Sequence, residues 1–325
     1  MCTAISFQGK DFYFGRTLDL EWSLNEKVAI TPRNYPFSFR FLPPIHRHHA
    51  LIGVAHVADG YPLYYEAVNE KGLGMAGLNF PGSAKYQQQS QTLDNVATFE
   101  LIPWVLSQCA TLGEARALLQ RVNPVGLAFN PELPASPLHW MIASREGALV
   151  MESTKDGVQL YDNPVGVMTN EPPFPYQMLN LTNYLNVSHC PPENRFAPNL
   201  DLKPYSRGMG GIGLPGDLSS ASRFVRAAFT KLNSVFDPES EESCVSQFFH
   251  IMGSVAQQRG CVELEGGKLE VTVYTSCCNA DKGIYYYSTY ENPQLTAIRL
   301  DHVDLDAQTL TAYPLLRQMR VFEQN

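Results

Sequence analysis

The chain has 325 residues, of which 44% are hydrophobic and 17% charged, and its formal net charge is −8. That length can bury a large core, and the composition carries no signature of disorder. The acidic balance argues against a nucleic-acid partner, since phosphate binding needs a basic face, and no window approaches the roughly 18 apolar residues of a membrane span.

Short β-branched and aromatic runs open the chain. Thr3–Phe7 and Phe12–Arg16 read as strands joined by the polar turn Gln8–Gly9–Lys10–Asp11, and Leu51–Val57, Leu63–Val68 and Gly72–Leu78 continue the pattern. The period then changes. Phe99–Cys109 and Leu112–Val122 space their apolar residues as helices do, with Thr111 and Glu114 placed as a capping box. Strands follow at Leu138–Ala143, Ala148–Ser153, Val158–Tyr161 and Val165–Thr169, then a helix over Tyr176–Leu185. Residues 190–220 read as long loops. Helices are expected over Ser222–Leu232 and Cys244–Gln257, and strands over Glu270–Thr275, Ile284–Thr289 and Leu295–Leu300. Blocks of strands and helices in this order describe an α+β fold, two packed sheets covered by helices on both outer faces, in a single domain over 1–325.

Several common motifs fail on context. Gly208–Met209–Gly210–Gly211–Ile212–Gly213 has the letters of a dinucleotide fingerprint, but no strand precedes it and Pro215–Gly216 breaks the helix that should follow. It reads as a glycine-rich loop. His46, His48 and His49 read as a solvated loop rather than a metal site, and Cys277 and Cys278, on alternate faces of a strand, are poorly placed to share a metal. Elimination favours chemistry without a cofactor. Seven scattered cysteines with no CxxC pair, and no basic-then-apolar leader, predict an intracellular, cytoplasmic protein with reduced thiols.

Cys2 carries more. Initiator methionine is generally removed before a small second residue, and the product would hold a thiol and a free α-amine on one residue. With ordinary pKa values of about 8.5 and about 7.7–8.0, these are a nucleophile and a usable base near neutral pH. A second-position cysteine alone establishes nothing. Arg16 and Asp19, however, close a strand that a hairpin would lay beside Cys2, where a cation favours thiolate and a carboxylate can hold an amine. Without Cys2 the two would read as a surface ion pair.

The chain resembles the choloylglycine hydrolase family, the bile salt hydrolases and penicillin V acylases of the N-terminal nucleophile superfamily. The resemblance runs through Met1–Cys2–Thr3, Phe14–Gly15–Arg16 with Asp19, Asn69–Glu70–Lys71–Gly72–Leu73–Gly74 and Ala76–Gly77–Leu78–Asn79–Phe80. It continues through Leu138–His139–Trp140, the run 162–170 ending at Asn170, Gly213–Leu214–Pro215–Gly216–Asp217, Ser222–Arg223–Phe224, Tyr274–Thr275–Ser276–Cys277 and the tyrosine-rich segment 285–292. It implies a four-layer αββα sandwich and, with Met1 removed, a conjugated-bile-salt amidase that works without a cofactor and assembles as a homotetramer. Cys2 matches the nucleophile, with its amine as base, and Arg16 the arginine beside the thiol. Asp19 matches the aspartate on the amine and Asn79 the oxyanion-hole side chain. Asn170 matches the asparagine that positions the scissile amide and the nucleophile's amine, and Arg223 a second arginine that sets local charge. Penicillin V acylases typically carry Tyr at the position of Asn79, which tilts the expected substrate towards bile salts over penicillin V or another N-acyl amide. A non-catalytic bile-salt binder is disfavoured by the intact Cys2, Arg16 and Asp19. A sterol needs an apolar pocket, for which Leu18, Leu20, Tyr61, Phe129 and Ile142 are the candidates, each equally readable as ordinary core. Arg207 is a candidate for the anionic head group, and Glu171, where relatives often have a neutral residue, either opposes anionic substrates or points to solvent.

Overall fold

The computed structural model describes residues 1–325, and its frame is the N-terminal hairpin. β1 (Cys2–Gln8) and β2 (Phe12–Leu20) pair antiparallel, with Cys2 opposite Leu18 and Ala4 opposite Arg16. The chain continues through β3 (Lys27–Thr31), β4 (Leu51–Ala58), β5 (Tyr61–Asn69), β6 (Gly74–Asn79) and β7 (Asp94–Ala97). Helices α1 (Leu101–Gln108) and α2 (Leu112–Leu119) follow, then β8 (Val122–Val125), β9 (Leu138–Ser144), β10 (Gly147–Thr154), β11 (Gly157–Asp162) and β12 (Val167–Met168). Three further helices, α3 (Phe174–Asn180), α4 (Ser220–Leu232) and α5 (Glu241–Gly253), precede β13 (Val271–Asn279), β14 (Ile284–Thr289), β15 (Thr296–Arg299) and β16 (Thr311–Pro314).

Two antiparallel sheets carry the fold. The first runs β12-β1-β2-β13-β14-β15 and the second β11-β10-β9-β6-β5-β4-β3-β16, with β7 and β8 as a separate parallel pair. α4 and α5 cover the outer face of the first sheet, and α1 and α2 that of the second, which gives the expected αββα layers. No helix is long and apolar enough to cross a membrane.

Strand alternation decides which side chains meet between the sheets. In β9, Met141 and Ala143 join the core shared by the two sheets, while Trp140 and Ile142 point the other way, against Leu101, Trp104 and Val105 of α1. Ile142 therefore lies in the core under α1, fully buried, and cannot line a substrate pocket.

The helix starts follow local chemistry. Ser219 and Ser240 accept from the main-chain N–H groups of Ser222 and Ser243, so α5 begins at Glu241, three residues before its first apolar position. The Thr111–Glu114 capping box forms as expected. α2 ends at Leu119 instead of running to Val122, because Val122–Val125 pairs with β7; Pro124, which lacks an N–H, is tolerated in that two-stranded pair. The helix expected to reach Leu185 stops at Asn180 and tightens into a 3₁₀ turn over Leu181–Tyr184. Gly208 and Gly213 take positive φ around a 3₁₀ turn, so the glycine-rich segment is a loop. His48 departs from the solvated reading: it is buried, with its ring nitrogens 2.7 and 2.9 Å from the main-chain oxygens of His49 and Tyr35.

Gly15 allows β2 to approach β13. A Cβ there would fall 2.1 Å from the main-chain oxygen of Ser276. Gly15→Ala should lower stability by about 1–3 kcal/mol, the usual penalty of an overpacked site. Urea unfolding measures it, and an unchanged midpoint would show that the strands part freely beside Arg16.

Candidate active site

The hairpin presents different residues on its two faces, and the site straddles it. Cys2 and Arg16 share the face turned to the second sheet, while Thr3, Thr17 and Asp19 share the face turned to α4. Both Arg16 and Asp19 are buried, so they are not the surface ion pair that β2 alone would suggest.

Arg16 is held by main-chain oxygens of both sheets. Its Nη1 donates to Gly77 O at 2.5 Å and Tyr65 O at 3.1 Å, and its Nε to Thr17 O at 3.1 Å. Nε also lies 3.8 Å from the carboxylate of Glu66. Burial opposes the charge of Arg16, but Cys2, Tyr274, Glu66 and Asp19 together outweigh it and keep the guanidinium protonated above its ordinary range. Glu66 in turn accepts from Tyr274 Oη at 2.7 Å, from Ser276 Oγ at 3.1 Å and from Tyr285 Oη.

On the other face, Arg223 of α4 reaches the start of the chain. Its Nη1 donates to Cys2 O and to Thr3 Oγ1, each at 2.6 Å, its Nη2 to Asn170 Oδ1 at 2.8 Å, and its Nε to Leu218 O at 3.1 Å. Asp19 lies 3.9 Å away and accepts from Thr272 Oγ1 at 2.7 Å and Thr17 Oγ1 at 3.1 Å. Burial disfavours charge on both, raising Asp19 and lowering Arg223 against their mutual attraction.

Asn170 joins these groups. Its Oδ1 accepts from the main-chain N–H of Cys2 at 2.8 Å, and its Nδ2 donates to Asn79 O at 2.7 Å. Asn79 ends β6 with its side chain exposed, and Ser220 Oγ accepts from Asn170 N at 2.8 Å. The structure thus brings Cys2, Arg16, Asp19, Asn170 and Arg223 into one buried cluster with Asn79 at its rim. Met1 is attached here, so Cys2 N is an amide standing in for the α-amine, and its single proton goes to Asn170, one of the two partners the resemblance implies, and not to the other, Asp19. The Met1 amine meets Glu270 and the main-chain oxygen of Asp19.

A cavity of about 150 Å³ opens nearby, lined by Leu24, Leu63, Tyr65, Phe99, Phe129 and Leu133 among others. It adjoins the cluster through Tyr65, whose carbonyl Arg16 holds. Of the residues expected to line a pocket, Phe129 does so. Tyr61 packs behind it, ring centroids 5.8 Å apart, Leu18 is buried in the inter-sheet core opposite Cys2, and Leu20 is half-buried against that core. Arg207 is exposed on the loop before the 3₁₀ turn. Glu171 neither points freely to solvent nor stands uncompensated: it accepts from Ser83 N at 2.7 Å and Ser83 Oγ at 2.9 Å.

Sequence reading missed Glu66 and Glu270, both buried acids. The signal for Glu66 was present, a lone acid between Tyr64–Tyr65 and Ala67–Val68 in a strand that is otherwise apolar.

A model of linear amide C–N hydrolases of the choloylglycine hydrolase family matches residues 2–313. Over all 325 residues the chain is 51% identical to the bile salt hydrolase/transferase of Lactiplantibacillus plantarum, covering each chain in full. It is 34% identical to that of Clostridium perfringens over 96% of each chain. Among solved structures it superposes on a mutant of the conjugated bile acid hydrolase from Clostridium perfringens with a TM-score of 0.93, 32% identity and full coverage of both chains. Penicillin V acylase from Agrobacterium tumefaciens shares the fold, with a TM-score of 0.76 at 17% identity over 96% of this chain and 90% of that one. The chain belongs to the choloylglycine hydrolase family of linear amide C–N hydrolases.

Burial lifts the Glu66 carboxyl from 4.5 to about 7, against the pull of Arg16 and three hydroxyls. The folded protein therefore keeps a proton there that the unfolded chain releases, so this group's stabilisation is full below pH 4.5 and lost as pH rises through about 7. Glu66→Gln should flatten the dependence of Tm on pH across that window. An unchanged slope in a thermal-melt series would show that Arg16 keeps Glu66 ionised.

Proposed function

We propose that this protein is a bile salt hydrolase that cleaves the amide of glycine- or taurine-conjugated bile acids through Cys2. The observation that carries the reading is the cluster itself: a buried cysteine at the chain start, Arg16 on one side, and Asn170 and Arg223 on its main chain.

Removal of Met1 would turn Cys2 N into an amine with a lone pair, next to Asn170 Oδ1 and within the field of Asp19. That amine takes the thiol proton, and Arg16 favours the resulting thiolate. The sulfur attacks the amide carbonyl, and the C=O pair moves onto oxygen. Asn79 Nδ2, at the rim, and a main-chain N–H are the donors for that oxyanion, each worth roughly 2.7–4 kcal/mol in comparable sites. Collapse breaks the C–N bond, and the leaving amine of glycine or taurine takes the proton from the Cys2 ammonium. Water, deprotonated by the same amine, then cleaves the thioester and restores the thiol.

The apolar cavity past Tyr65 suits a steroid nucleus by chemistry, while its closed volume is below the roughly 300–1,000 Å³ of ordinary ligand pockets. The steroid would thus lie partly in the open cleft, or displace the loop that carries Phe129. A second reading, transfer of the acyl group to another amine, draws support from the hydrolase/transferase names of two relatives. We also read the protein as a single domain, cytoplasmic on its scattered cysteines, and, on resemblance, a homotetramer.

Intact mass of the active protein should show Met1 missing; retained Met1 with full turnover would end the N-terminal mechanism. Amino-acid release from glycocholate and taurocholate should exceed penicillin V turnover, and the reverse order would reassign the substrate. Cys2→Ser should abolish release with the fold intact. Asn79→Ala should lower kcat by about 100- to 1,000-fold, as loss of one oxyanion donor does elsewhere.

A further inference from the structure

One buried group outside the cluster touches both segments that carry its asparagines. His139 on β9 is 1% exposed. Its Nε2 lies 2.9 Å from the main-chain oxygen of Thr169, the residue before Asn170. Its ring stacks on Phe80, the residue after Asn79, with centroids 4.2 Å apart and planes within 5°. Between these two grips, Asn170 Nδ2 bonds Asn79 O at 2.7 Å.

The donor pattern is set by the partners. Thr169 O can only accept, so Nε2 carries a proton. Nδ1 lies 3.2 Å from Glu152 Oε1, a contact closed by one further proton on either atom, and the same carboxylate oxygen accepts from Phe174 N at 2.9 Å. Glu152 Oε2 has no partner, which leaves the carboxylate committed through Oε1 alone. The segment that His139 holds has little else from secondary structure. β12 is two residues long and ends at Met168, so beyond the bonds of the Asn170 side chain to Cys2, Arg223 and Asn79, Thr169 and Asn170 rest on Ser220, on Gln177 and on this ring.

We propose that His139, held by Glu152, is a positioning residue that sets the separation of Asn79 and Asn170, and with it the place where the oxyanion forms. The proposal rests on the reading of this site as an amide hydrolase. A satisfied core histidine would show the same burial. It would not need to bridge these two segments, which otherwise meet through the bond between the site asparagines and through Glu171 on Ser83.

His139→Phe keeps an aromatic face for Phe80 and loses both polar grips. It should lower kcat on glycocholate by about 100-fold, the scale of a misplacement of about 1 Å, with KM within about threefold of wild type. Alkylation of Cys2 by iodoacetamide, read on the Cys2 peptide, should stay within about threefold of the wild-type rate, because Arg16 and its main-chain partners are untouched; a merely structural loss would slow alkylation further or raise KM together with the fall in kcat. A kcat within about threefold of wild type in folded His139→Phe overturns the proposal. If that variant does not fold, Phe80→Leu removes the stacking alone, and an unchanged kcat there overturns it as well. Wild-type protein assayed alongside separates the two ideas: no release by wild type removes the bile salt reading, whereas loss confined to the variant supports His139.

Discussion

Two guanidinium groups are buried back to back across one hairpin, and much of the structure exists to keep them there. An ion moved out of water carries a penalty of several kcal/mol even after relaxation, and only close partners repay it. On one face, Arg16 spends its donors on carbonyls of Thr17, Tyr65 and Gly77, drawing strands of both sheets to a single point. On the other, Arg223 spends its donors on Cys2, Thr3, Asn170 and Leu218, tying α4 to the chain start. Neither arginine is saturated by carboxylate: Glu66 and Asp19 stand at 3.8 and 3.9 Å, too far to hold the donors, and burial draws both acids towards their neutral forms. Positive field therefore persists around Cys2 from both sides, which a thiol nucleophile needs and a tightly paired arginine would not supply.

The same arrangement explains why the N-terminus is ordered. Chain ends fray unless tied down. Here Met1 O accepts from Asp19 N at 2.9 Å, Cys2 N donates to Asn170, and Cys2 O accepts from Arg223, so both main-chain polar groups of residue 2 are occupied. The contacts made by Cys2 do not involve Met1, so its loss would leave the strand in register. It would also strip Glu270 of its partner, since the Met1 amine is what offsets the burial of that acid.

The layered α+β architecture was legible in the sequence because hydrophobic period changes sharply between blocks, and most strands and helices lie where that period places them. What escaped was set by pairing at a distance. Lys27–Thr31 and Thr311–Pro314 are short; the first becomes a strand by pairing with β4, and the second by adding to its other side as the edge of the second sheet, a fact no local window carries. In the site, Cys2, Arg16, Asp19, Asn79, Asn170 and Arg223 could be nominated from motif order. Glu66, a lone acid in an apolar run, and His139, inside a matched block, were visible there without a role, because each acts through neighbours from other strands. Ile142 was misplaced for a simpler reason: strand parity assigns its face, and an apolar residue reads alike on either side of a sheet.

Fold and specificity separate cleanly here. A penicillin V acylase superposes at only 17% identity, so the sandwich alone says little about which acyl group enters. What this chain adds is local. Phe99 and Phe129 meet edge to face with centroids 5.3 Å apart and wall the cavity beyond Tyr65, and Arg40 lies over both rings. On the turn after β6, Glu171 is held by two hydrogen bonds from Ser83, so its charge is already met by donors from the protein. An acid tethered in this way stiffens the turn after β6 and adds no uncompensated negative charge beside Asn170. The site can therefore present positive field to an anionic conjugate even though the protein as a whole carries a net charge of −8.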